Sequence, residues 1–149
     1  TLDQALQTWE REKTPFSVMS VDVDHFKRVN DTYGHDVGDR VLQQLARHMR
    51  ECARERDVFC RVGGEEFLIL LPRTAPDVAQ QVAQRLRLLI EQADMAPARH
   101  VTISVGIAHW PGSTPDLARV LRIADEMLYR AKRLGRNRVE VHAPALAQP

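Results

Sequence analysis

The chain has 149 residues, 44% of them hydrophobic and 28% charged, values that exclude a disordered tail and a fibrous repeat. Lys and Arg number 21 against 20 Asp and Glu, for a formal charge of +1, a balance that gives no grip on a nucleic-acid polymer but leaves room for a small anion. Cys52 and Cys60 form neither a metal-ligand spacing nor a disulfide framework, and no apolar run approaches the roughly 18 residues of a membrane span, so the segment is expected to be cytoplasmic, as a free protein or part of an anchored one, without membrane contact of its own.

Leu2, Leu6 and Trp9 share a face in a helix expected from Leu2 to Lys13, which Pro15 closes. The apolar, β-branched run Phe16 to Val23 reads as a buried strand that ends in Asp22 and Asp24. A short helix is expected from His25 to Asp31, stopped at Gly34, and a longer one from Asp36 to Arg50 with Val37, Val41, Leu42, Leu45, Ala46 and Met49 inward. Val58–Val62 and Phe67–Leu71 are strand-like runs on either side of Gly63-Gly64-Glu65-Glu66, and the paired glycines predict a hairpin that uses their tolerance of positive φ.

A further helix is expected over Asp77–Gln92, with Val78, Val82, Leu86, Leu89 and Ile90 on its inner face. Val101, Ile103, Val105 and Ile107 alternate with Thr102, Ser104, Gly106 and Ala108, the period of a half-buried strand. Thr114-Pro115 starts the last long helix, which Gly135 caps, and Val139 to Val141 is a final strand ahead of a tail over residues 143–149. Strands alternating with helices around a central hairpin predict one α+β domain over residues 1–142, with a mainly antiparallel sheet of about five strands. Rossmann and Walker glycine motifs are absent.

Three clusters could carry chemistry: Asp22-Val23-Asp24 at a strand end, Gly63-Gly64-Glu65-Glu66 at the hairpin, and Lys132 with Arg136, four apart and so expected on one helix face. Carboxylates converging from two segments repel unless a cation sits between them, which points to magnesium, whose open positions phosphate oxygens fill. Lys27, Lys132 and Arg136 could neutralise the remaining phosphate charge, an arrangement suited to two-metal nucleotidyl transfer. Taken singly, each cluster has a plainer reading as a turn, a hairpin or a helix-dipole partner, and Asp24 is a candidate both for a ligand and for a helix cap.

Gly63-Gly64-Glu65-Glu66-Phe67 resembles the signature of the GGDEF family, the diguanylate cyclases, in its GGEEF form. The run from Asp22 to Leu42, DVDHFKRVNDTYGHDVGDRVL, is similar to the family's other long signature, and Tyr129-Arg130-Ala131-Lys132 with Gly135-Arg136-Asn137 to its C-terminal one. The resemblance implies a fold like the polymerase palm and the nucleotide cyclases (ferredoxin-like). It also implies condensation of two GTP into cyclic di-GMP with release of two pyrophosphates. It makes Asp22, the Val23 carbonyl and Glu65 ligands of two magnesium (or manganese) ions, with Glu66 a further ligand or an aid to activating the ribose 3′-hydroxyl. Asn30 and Asp39 would read guanine, Lys27, Lys132 and Arg136 would hold phosphates, and the Gly63-Gly64 backbone would approach the substrate closely. His35 is expected to be structural, and Phe26 and Phe67 to belong to the core.

Arg54-Glu55-Arg56-Asp57 is similar to the family's RxxD inhibitory motif at its usual separation from GGEEF, which implies that the product binds Arg54 and Asp57, with Arg85 as a secondary contact. One GTP per domain implies a homodimer for catalysis. The family's D-x-L-T-x-L-x-N-R segment would lie just ahead of Thr1, so the start of the domain is expected to be missing, with a sensor or receiver domain upstream. The alternatives to an enzyme are a silent cyclic di-GMP receptor and a GTP-binding regulatory module.

Overall fold

A computed structural model describes residues 2–112 and 117–142. In chain order the elements are α1 (Leu2–Glu12), β1 (Phe16–Val23), α2 (Phe26–Tyr33), α3 (His35–Cys52), β2 (Val58–Gly63), β3 (Glu66–Pro72), α4 (Pro76–Gln92), β4 (Ile103–Trp110), α5 (Leu117–Arg133) and β5 (Arg138–Val141). The strands lie in the order β2-β3-β1-β4-β5. Neighbours are antiparallel except β4 and β5, which α5 connects as a parallel pair.

Alternation along the strands sorts the core into two layers. Met19, Val21 and Val23 of β1 join Phe67, Ile69 and Leu71 of β3 and Ile103, Val105 and Ile107 of β4 against the apolar stripes of α3 and α4. The opposite face carries Phe16, Val18, Leu68, Leu70, Ala108 and Trp110, covered by Leu6 of α1 and by Val120 and Ala124 of α5. The expected α+β architecture is therefore present, with helices on both faces of the sheet.

Several sequence expectations change in detail. β4 is buried on both sides rather than half-buried, because Ser104, Gly106 and Ala108 lie under α5 and not in water. Gly106 is the point of closest approach: a Cβ there would overlap the backbone of Ala124 and Leu128. The inner face of α4 is Ala79, Ala83, Leu86 and Ile90, while Val78 is exposed. The true stripe uses alanines where the helix lies close to the sheet, and hydropathy alone gave Val78 the place. Neither Gly63 nor Gly64 has a positive φ; both face open space, so they leave a clear surface rather than relieve backbone strain. The Thr114-Pro115 helix start and residues 143–149 lie outside the described residues.

Candidate active site

β1 delivers Asp22 into the middle of the sheet edge, opposite Glu66 of β3 on one side and Ser104 of β4 on the other. The β2–β3 turn brings Glu65 over the same edge, and α5 brings Lys132. Asp22, Val23, Asp24, Lys27, Glu65, Lys132 and Arg136 line one cleft of about 190 Å³. Asp22 and Glu65, which are 43 residues apart by their numbers (65 − 22), thus face one space.

Asp22 is 6% exposed. Its Oδ2 accepts from the Lys132 ammonium, while its Oδ1 is buried with no hydrogen-bond partner. Burial pushes the Asp22 carboxyl above the usual carboxylate range; the hydrogen bond and charge of Lys132 oppose this, and Glu65 and Asp24 add to it. Glu66 projects from the same sheet face as Asp22. Its carboxyl is also pushed up, first by burial and then by Asp125 of α5 and by Asp22. Asp125 is a neighbour that the sequence did not single out; its Oδ1 accepts from Ser20 Oγ at 3.0 Å.

Among the described residues no three His, Cys, Asp or Glu side chains form a ready cation cage. The donor set is two carboxylates, Asp22 and Glu65, with the backbone of Val23 beside them. Such a sparse oxygen set fits magnesium, which binds through one or two carboxylates and takes its other ligands from water and phosphate. The orphaned Asp22 Oδ1 would be the acceptor for such an ion, while Lys132 offsets the charge of the Asp22 carboxylate through Oδ2.

Lys132 and Arg136 reach the cleft by a route other than a shared helix face. α5 ends at Arg133. Gly135, at φ 127°, turns the chain, with Arg136 N–H donating to Ala131 O at 2.9 Å and Gly135 N–H to Lys132 O at 3.4 Å. This Schellman turn folds Arg136 back beside Lys132.

Asn30 and Asp39 sit on α2 and α3, which fold against each other at Gly34. The Asn30 side chain fills the place of a Gly38 Cβ, and its buried Oδ1 has no hydrogen-bond partner. Asp39 is exposed at one end of a groove of about 500 Å³ with Leu42, Met49, Phe59 and Phe67 along it. Phe26 and Phe67 are buried, as expected; His35 is exposed at the start of α3. Asp24 caps no helix: its carboxylate accepts from Thr102 Oγ1 at 2.7 Å, Ser104 Oγ at 2.6 Å and Asn137 N–H at 2.9 Å.

Residues 54–57 close a turn on themselves. Asp57 Oδ2 accepts from Arg54 N–H at 2.8 Å, and the Asp57 side chain is only 1% exposed against 56% for Arg54. The Arg54 guanidinium donates to Thr74 Oγ1. Asp57 therefore faces its own loop, and Arg54 is the member of the pair that reaches solvent. Arg85 lies on α4 near the end of α3, where its charge opposes the upward push of burial on the Cys52 thiol.

The family model for "Diguanylate cyclase, GGDEF domain" matches residues 1–138. This chain belongs to the GGDEF family. Among curated relatives, the domain is 43% identical over 124 residues to diguanylate cyclase DgcM of Escherichia coli, covering 83% of this chain and 30% of that protein. It is 42% identical over 128 residues to the Bacillus subtilis protein YhcK, covering 83% and 36%. The GGDEF domain thus spans about a third of the length of these relatives. Among solved structures, the active GGEEF domain of a Vibrio cholerae diguanylate cyclase superposes with a TM-score of 0.87 at 34% identity, covering 95% of this chain and 92% of that one. The GGDEF domain of Caulobacter crescentus DgcB, solved with cyclic di-GMP, gives 0.83 at 33%, covering 94% and 85%. No helix among the described residues is long and apolar enough to cross a membrane.

Proposed function

We propose that this GGDEF domain is a diguanylate cyclase that joins two GTP molecules into cyclic di-GMP. The observation that carries the reading is one cleft where three acidic groups, Asp22, Asp24 and Glu65, meet three cationic ones, Lys27, Lys132 and Arg136. Acid alone would repel a triphosphate, and cations alone would bind one without activating it. Together they provide for metal-bound phosphate and for the charge that leaves with pyrophosphate.

Asp22, the Val23 carbonyl and Glu65 hold divalent cations, magnesium or manganese, two per site. When bound, the cations supply Lewis-acid polarisation of the α-phosphate and lower the pKa of the attacking hydroxyl. Lys27, Lys132 and Arg136 hold the phosphates. Glu66 completes the acidic pair, either as a further ligand or by taking up the 3′-hydroxyl proton. Each new bond joins a ribose 3′-oxygen to the α-phosphorus of the other GTP, and the bond from that phosphorus to the β-phosphate oxygen breaks. The open surface beside Gly63 and Gly64 lets a nucleotide approach the backbone. Asn30 and Asp39 read the guanine edge. A carboxylate that accepts from the guanine N1–H and exocyclic amine, as proposed for Asp39, discriminates strongly against a base that cannot donate to it.

One nucleotide per cleft makes turnover the work of two domains face to face. The product restrains the enzyme through Arg54, the solvent-reaching arm of the RxxD turn, with Asp57 shaping that turn and Arg85 as a second contact. The test is the purified chain with GTP and magnesium, followed by chromatographic detection of cyclic di-GMP and pyrophosphate. Glu65→Ala and Glu66→Ala should each lower turnover by about 100-fold or more. A wild-type chain that makes no product at any concentration, or turnover indifferent to both changes, would count against the reading.

A further inference from the structure

Arg136 has no regular secondary structure to hold it, yet it lines the cleft. It follows the Schellman turn with φ 63°, between Gly135 at φ 127° and Asn137 at φ 45°. Three consecutive left-handed residues, two of them with a Cβ, form a conformation that a chain does not keep unaided. Something outside the turn must define it.

The fastening is visible on Asn137. Its backbone N–H donates to Asp24 Oδ2 at 2.9 Å. Its Oδ1 accepts from Arg87 Nη1 at 3.0 Å, and its Nδ2 donates to Glu91, both residues on α4. Asp24 is itself fixed: it is 5% exposed, Ser104 Oγ donates to Oδ1 and Thr102 Oγ1 to Oδ2, and its N–H donates to Thr102 O at 2.9 Å. One buried carboxylate thus binds the end of β1, the start of β4 and the residue after Arg136. With three donors already on its two oxygens, Asp24 is poorly placed to serve a metal as well, although it stands two residues from Asp22.

We infer that Asp24 is a positioning residue that fixes the Gly135–Asn137 turn from outside and so aims Arg136 at the phosphates of the nucleotide. This rests on the reading of the cleft as a GTP site. Asp24→Asn keeps the shape and replaces an acceptor oxygen by a donor facing other donors, so the turn loosens while Asp22 and Glu65 stay in place.

The test uses the whole 149-residue chain and two readouts that need no turnover. Binding of a non-hydrolysable GTP analogue with magnesium is measured by calorimetry for wild type, Asp24→Asn, Arg136→Ala and the double variant. Amide hydrogen exchange is followed over residues 135–138. Asp24→Asn should weaken the analogue about tenfold, an energy of about 1.4 kcal/mol, speed exchange at Asn137, and leave the magnesium concentration for half-saturation unchanged. In the Arg136→Ala background the same change should weaken binding less than twofold, because the residue it positions is gone. If Asp24→Asn does not fold, Thr102→Val removes one donor from the same Oδ2 and should show a smaller effect with the same dependence on Arg136. A full effect that persists without Arg136, or a shifted magnesium requirement, overturns the inference. Unchanged exchange at Asn137 also overturns it, because the aim of Arg136 runs through that anchor. Wild type that binds no analogue overturns the nucleotide reading, and with it the aim of Arg136, while faster exchange in Asp24→Asn would still report the anchor.

Discussion

Glu66 illustrates what a site costs its fold. Its carboxyl is pushed above the ordinary value by burial, then by Asp125 and Asp22, so the folded chain holds the proton more tightly than the unfolded one does. The linkage has a definite sign: the stability from this group is full below the ordinary glutamate pKa of about 4.3 and is lost as pH rises through the raised folded value. Glu66→Gln removes the charge and keeps the shape. We expect the variant to melt at a higher temperature than wild type at neutral pH without divalent cations, with the gap closing below about pH 4. Thermal scans across that range check it, and a variant less stable than wild type at neutral pH would contradict it. Asp22 carries the same kind of strain but has Lys132 against it, so Glu66 is the cleaner test.

Among the elements, α5 does most to assemble the site, and its seat on β4 depends on one missing side chain. At Gly106 a Cβ would overlap the backbone of Ala124 and Leu128, and backbone has no rotamer with which to yield. Gly106→Ala must push the helix outward and move Lys132 away from Asp22. Overpacking of this kind costs typically about 1–3 kcal/mol, which in a domain of this size lowers the melting temperature by several degrees. We expect that loss, together with weaker GTP binding in the fraction that remains folded. Calorimetric melting and nucleotide titration measure the two separately, and an alanine variant with native stability would mean that the helix has more play than its contacts allow. The alternating pattern of β4 could not have revealed this, since a glycine among buried residues reads equally well as a solvent-side position.

At the scale of the whole molecule the proposed reading makes the cleft a half-site: it gathers one set of acidic and cationic groups, and the second GTP is expected from another copy. The formal charge of +1 sets up little mutual repulsion and little steering between copies. We expect the rate of product formation to rise with more than the first power of protein concentration when the protein is dilute. A strictly linear rate from the lowest concentrations upward would show that one copy suffices, or that the dimer never dissociates, and sedimentation at the same concentrations tells these apart.

Much of this was open to a reader of the sequence because local physics writes it there. The stripe of α3, the apolar run of β1, the hairpin of β2 and β3 and the cap at Gly135 follow from side-chain spacing and backbone freedom within a few residues. The pairing of Asp22 with Glu65 could be expected from motif resemblance and from the need of carboxylates at a strand end for a counter-charge. The role of Asp24 could not: its partners Thr102, Ser104 and Asn137 lie 78 to 113 residues along the chain, and spacing carries no information over such distances. Likewise only the folded chain shows that Arg136 arrives by a left-handed turn rather than along a helix, and that Asp57 turns inward while Arg54 faces water. Hydrophobic periodicity decides which face of an element is buried; which polar groups then meet is settled when the sheet brings separate strand ends together.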